Sequence, residues 1–166
     1  MDNKLNIVSI VGKSGAGKTT LLEKLIKGLK YKGHSVGTVK HTHEGFHMDK
    51  KGKDSWRHRK AGSDATLAIA PDMIALVKDG EIEVVKAIQL YLGNMDIVLV
   101  EGFKKQKLPK IEIFRTGGRH EQPLCMNDDN LIAFVSDSDY DPDVPKFGIE
   151  DIDSIVQFIE KRCLKS

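Results

Sequence analysis

The chain has 166 residues, a size that suits one domain with a hydrophobic core and leaves little room for a second. With 40% apolar and 30% charged residues and a formal charge of +2, its composition is that of a soluble globular protein. The near balance of charge argues against a nucleic-acid partner, and no run approaches the roughly 20 apolar residues of a membrane span.

The first apolar run, residues 5–11 (LNIVSIV), is rich in β-branched residues and predicts a buried strand. It passes straight into glycines, without the charged start and cleavage site of a secretory leader. Cys125 and Cys163 stand far apart and in no CxxC pair, which fits a reducing compartment; a cytoplasmic protein is expected. Leu21, Leu22, Leu25, Ile26 and Leu29 recur at helical spacing over residues 19–32, and Gly33 is placed to stop that helix. Residues 35–40 (SVGTVK) read as a second strand, and the polar stretch 41–53 as a long functional loop.

A short basic helix is predicted over residues 54–60, with Asp54 as N-cap and Gly62 as stop. Apolar runs at 65–70 and 73–77 flank Pro71-Asp72, and residues 81–92 have the pattern of an amphipathic helix. Residues 96–100 (DIVLV) form the most strand-like run, with further strands at 110–114 and 131–135 and a closing helix at 151–163. Strands alternating with helices predict one α/β domain over residues 1–166. The expected fold is a three-layer P-loop NTPase fold with a mostly parallel sheet and a few antiparallel edge strands.

Gly12, Lys13, Ser14, Gly15, Ala16, Gly17, Lys18 and Thr19 satisfy the pattern G-x-x-x-x-G-K-[ST] at every fixed position, between a strand and an amphipathic helix. Glycines let the backbone N–H groups turn inward toward phosphate oxygens, and the helix N-terminus adds partial positive charge. Lys18 is expected on the β- and γ-phosphates, Thr19 as a hard oxygen ligand for Mg2+, and Thr20 beside them in the nucleotide-binding stretch. Such a site needs a carboxylate at the carboxyl end of a neighbouring strand. Glu101 supplies it, either on the metal through water or orienting an attacking water, whereas Asp96 lies at the far end of that strand. Asp49, in the loop after the second strand, is a second candidate for magnesium or water positioning; a surface charge balanced by Lys50, Lys51 and Lys53 is the alternative.

His41, His43, His47 and His58 match no zinc spacing and read as hydrogen-bonding side chains of a polar loop. Arg57, Arg59 and Lys60 suit a solvated helix face. Lys104, Lys105, Lys107 and Lys110, just after Glu101, are better placed to meet phosphate or an acidic partner.

Three segments, GKSGAGKTTL, VKHTHEGFHMDKKGKDSWRHRKAGSDAT and LVEGFKKQKLPKIEIFR, resemble the molybdopterin-guanine dinucleotide biosynthesis protein B (MobB) family, and the likeness runs from Ile7 to about Ile159. Where that family carries proline in its DKPGKDS stretch, this chain has Lys51. The resemblance implies a GTP-binding, weakly GTP-hydrolysing homodimer of the class that includes metallochaperones and dimeric ATPases. It also implies a role in molybdenum cofactor maturation, assisting the MobA-type guanylyltransferase that joins GMP to molybdopterin. Lys13 then occupies the place of the lysine that, in deviant Walker A proteins, reaches the partner's nucleotide across a dimer. The usual Asn-Lys-x-Asp guanine motif is absent. Asp137, after the 131–135 strand, is a candidate to accept from the guanine N1 and N2 hydrogens, and a turn or cap role among Asp137, Asp139 and Asp141 is equally open. Two rival functions remain: a small-molecule kinase whose lid would be residues 115–119 (RTGGR), and a nucleotide-gated metallochaperone using the histidines.

Overall fold

β-branched and leucine-rich runs form the strands and helices that place the glycine loop. The computed structural model describes residues 5–42, 50–118 and 120–164. Two compact units divide the chain, one made of Met1–His41 with Ala87–Ser166, the other of Thr42–Lys86.

In the larger unit six strands form one parallel sheet. They are β1 (Ile7–Val11), β2 (Val36–Lys40), β5 (Ile97–Glu101), β6 (Lys110–Phe114), β7 (Leu131–Ser136) and β8 (Lys146–Phe147), in the order β2-β5-β1-β6-β7-β8. Every neighbouring pair runs parallel. Parallel strands need both faces covered, which is why their sequences are near-continuous apolar runs. Val8 and Ile10 of β1 pack with Leu21, Leu25 and Leu29 of α1 (Lys18–Tyr31) and with Ile155, Val156 and Ile159 of α4 (Ile152–Ile159). Gly28 lets those two helices approach: a Cβ there would stand 2.7 Å from Val156 Cγ2. On the opposite face Val11 packs with Cys125 and Leu131, while Leu92, at the end of α3 (Val84–Leu92), lies over Gly37 of β2. Helices therefore cover both faces of a parallel sheet, as the sequence predicts.

The smaller unit holds α2 (Asp54–Lys60) and the antiparallel pair β3 (Ala65–Ala70) and β4 (Met73–Lys78), which forms a two-stranded sheet of its own. Leu67 faces Leu76 and Ile69 faces Ile74 across this hairpin, and all four are exposed.

Several boundaries differ from the sequence reading for local reasons. Lys53, not Asp54, caps α2, and Asp54 sits in the first turn, where its charge complements the helix dipole. Helix α3 starts three residues late because the Glu83 carboxylate accepts the Val85 and Lys86 N–H groups, an end-capping role. The last helix is α-helical only to Ile159 and continues as a π-helical turn, Glu160–Leu164. The two-residue strand β8 is too short to leave a periodic pattern.

Candidate phosphate-binding site

Strand β1 delivers the chain into the glycine loop, and α1 leaves it. Gly12 takes φ +154°, and a Cβ there would lie 2.5 Å from the Ile113 carbonyl oxygen, so only glycine fits against β6. Gly15 and Gly17 take φ +80° and +96°, the left-handed region where a side chain is strained. Gly17 is also the N-cap of α1, so the helix points its N-terminal N–H groups at the loop.

Lys18 folds back over this loop and donates to the carbonyls of Gly12 at 3.0 Å and Lys13 at 2.9 Å. Partial burial lowers its pKa; the nearby Glu101 carboxylate opposes that shift, and Lys40 and Lys104 reinforce it. Thr19 places its hydroxyl 3.4 Å from both carboxylate oxygens of Glu101. The hydroxyl comes from the start of α1 and the carboxylate from the end of β5, and both are hard oxygen groups of the kind Mg2+ accepts. Ser14, Thr19 and Thr20 are exposed, and Lys13 and Ala16 half-buried. Lys13 lies close enough to Glu112 to favour the ionised form of that carboxylate.

Glu101 has a further partner that the sequence did not single out. Lys40 ends β2, stands opposite Glu101 in the register, and donates to its Oε1 at 2.8 Å. Past Glu101 the chain turns at Gly102, whose carbonyl accepts from the buried Ser9 hydroxyl at 2.6 Å. Phe103 then takes φ +55°, rare for an aromatic residue, with its ring 4.4 Å from that of His41.

Asp96 is a strand-start residue, as its position suggests: it accepts from the Ser35 N–H and hydroxyl, and those bonds hold its pKa down. Asp137 is exposed just beyond β7 and accepts the Thr116 N–H at 2.8 Å, the main cause of its lowered pKa. Asp49, His43 and His47 lie outside the described residues. His58 is exposed on α2, and no group of three His, Cys, Asp or Glu side chains among the described residues is arranged to hold a metal.

Of the basic cluster after Glu101, Lys104, Lys105 and Lys107 are exposed. Lys110 is not available to a partner. It is 2% exposed and its Nζ lies 2.6 Å from Asp128 Oδ2. The same face of β6 buries Glu112, which accepts the N–H groups of Leu124 and Cys125. Its pKa is raised, chiefly by burial, and burial also pushes the Cys125 thiol up to about 11.

The family model for molybdopterin guanine dinucleotide synthesis protein B matches residues 7–137. The chain belongs to the MobB family. It is 38% identical over 151 residues to the molybdopterin-guanine dinucleotide biosynthesis adapter protein of Escherichia coli, covering 88% of this chain and 86% of that one. The adapter protein of Haemophilus influenzae is 36% identical over 167 residues, with 96% and 90% covered. The crystal structure of Bacillus subtilis MobB superposes with a TM-score of 0.76 at 26% identity, covering 98% of this chain and 99% of that one. The matched segment takes in the glycine loop, Lys40, Glu101 and Asp137, so the site described above lies wholly within the MobB region.

Proposed function

We propose that this chain is a GTP-binding adapter in molybdopterin-guanine dinucleotide biosynthesis. The adapter role rests on MobB membership and on the relatives' described role. The observation that carries nucleotide binding is the convergence of Lys18, Thr19 and Glu101 on the glycine loop.

In this reading the loop N–H groups and the α1 N-terminus bind the phosphates. Lys18 exchanges its two loop carbonyls for phosphate oxygens. Thr19 and Glu101 hold Mg2+, which when bound neutralises phosphate charge; Asp49 is a further candidate for that role. Glu101 also orients water for weak GTP hydrolysis. Asp137, kept ionised by its Thr116 hydrogen bond, is the group to accept from the guanine N1 and N2 hydrogens.

The protein works in the cytoplasm as a homodimer alongside a MobA-type guanylyltransferase and its molybdopterin substrate. Two features support these assignments. No helix among the described residues is long and apolar enough to cross a membrane. The exposed face of Leu67, Ile69, Ile74 and Leu76 is the kind of surface that a second copy covers isologously. Lys13 is the loop residue to reach a partner's nucleotide in such a dimer.

The test is a guanylation assay. Adding the chain with Mg2+ and GTP to guanylyltransferase and molybdopterin should raise the yield of the dinucleotide cofactor, and Lys18→Ala should remove the increase. Equal stimulation by wild type and variant would contradict a nucleotide-dependent adapter.

A further inference from the structure

The Arg115 side chain has no role in the mechanism above, yet it meets the glycine loop. Strand β6 pairs with β1 on the side away from β5, so the residue following Phe114 emerges beside the loop that β1 feeds. That residue is Arg115. A Cβ at Gly17 would lie 3.5 Å from Arg115 Nε and 3.9 Å from its Cζ, which puts the guanidinium against the N-cap of α1.

Cations normally gather at helix C-termini, because the N-terminus is itself partially positive. Arg115 nevertheless sits against the α1 N-cap, and Lys13 borders the same cavity. Among the described residues the Arg115 side chain has no hydrogen bond or ion pair within 4 Å, and Asp137 and Glu150 feel its charge only at longer range. Between the loop and Arg115 lies a cavity of about 220 Å³, bounded by Lys13, Ser14, Gly15, Ala16, Phe114 and His120. An anion in this space would satisfy a planar donor that suits phosphate oxygens and would meet the partial positive charge of the helix N-terminus.

The placement of Arg115 is itself braced. The next residue, Thr116, donates its N–H to Asp137 at the end of β7, and Gly117 turns the chain at φ +69°. Glu101 and Thr19, the metal side of the loop, are supplied across β5, on the other flank of β1. The phosphates nearest Arg115 are therefore those farthest from the metal side.

We infer that Arg115 is a phosphate ligand in cis, contacting the diphosphate portion common to GDP and GTP. This rests on the reading that residues 12–19 bind a nucleotide. Being a contact to phosphate, it is indifferent to the base.

The test compares wild type, Arg115→Ala, Arg115→Lys and Lys18→Ala in calorimetric titrations with GTP, GDP and ATP in magnesium. Arg115 is exposed, so unchanged thermal unfolding of the free variants is expected and confirms that they fold. Arg115→Ala should weaken GTP and GDP by the same factor, roughly 10- to 100-fold, the scale of a lost charged hydrogen bond. ATP should weaken by that factor too, and Arg115→Lys should recover part of the loss. Unchanged affinity in Arg115→Ala overturns the inference and leaves nucleotide binding intact. A loss confined to GTP would mean a γ-phosphate contact, and a loss confined to guanine nucleotides a base contact; either overturns it. Wild type that binds none of the three removes the nucleotide reading and this inference together.

Discussion

Lys40 and Glu101 end two neighbouring parallel strands in register, and the lysine Nζ lies 2.8 Å from a carboxylate oxygen that is also 3.4 Å from the Thr19 hydroxyl. An ammonium thus shares the carboxylate on which the proposed magnesium would sit. Lys40 is 62% exposed, so the pair contributes little to stability, but it competes for Glu101. Lys40→Met should lower the magnesium concentration that half-saturates GTP binding, by about two- to fivefold for an exposed pair. A magnesium titration at fixed GTP reads this directly, and an increased requirement would show that Lys40 assists the metal.

Gly12 abuts β6 too closely for any side chain, with 2.5 Å between a Cβ position and the Ile113 oxygen. Gly12→Ala should force the loop away from β6, costing about 1–3 kcal/mol of stability by overpacking. Nucleotide affinity should fall at least tenfold with it. Chemical denaturation and calorimetry on the same sample check both.

Lys110 and Asp128 form an ion pair on the β6 face, its ammonium buried and its carboxylate partly exposed, and Asp128 is held down to about 2 by its bond to Lys110. A carboxylate with a lowered folded-state pKa stabilises fully above its unfolded value of 3.8, and that contribution is lost as pH falls toward 2. Asp128→Asn should cost roughly 3 kcal/mol at neutral pH by stranding a buried ammonium. The difference from wild type should shrink below about pH 4. Urea unfolding between pH 2 and 7 measures it, and Lys110→Met with Asp128→Asn should regain most of the loss.

Ile74 and Ile69 are 69% and 72% exposed on one face of the β3–β4 hairpin. If a second copy covers this face, Ile74→Asp should convert a dimer to a monomer at micromolar concentration without unfolding the larger unit. Light scattering after size exclusion gives the mass. A dimer that persists in Ile74→Asp would move the interface elsewhere.

The glycine loop and its flanking elements are legible in the sequence because each is local: a strand, a fixed eight-residue pattern and a helical period follow one another. Glu101 is legible as the acid that ends an apolar strand. Lys40 is not, since its pairing depends on β2 lying beside β5, which puts Lys40 opposite a residue 61 positions further along the chain. Lys110 looks like an available cation for the same reason. Both faces of β6 are covered, so Lys110 pairs with Asp128 and Glu112 accepts the Leu124 and Cys125 N–H groups. Arg115 reads as one end of a lid until the strand order brings it beside Gly17.

Residues 12–19 are proposed to hold a guanine nucleotide with magnesium. Parallel titrations of wild-type protein with GTP and ATP test it most directly. Magnesium-dependent binding of GTP should be at least tenfold tighter than that of ATP, with that margin lost in Asp137→Ala, since one charged hydrogen-bond partner discriminates by about that much. Equal affinity for the two nucleotides, or a preference for ATP, would contradict it.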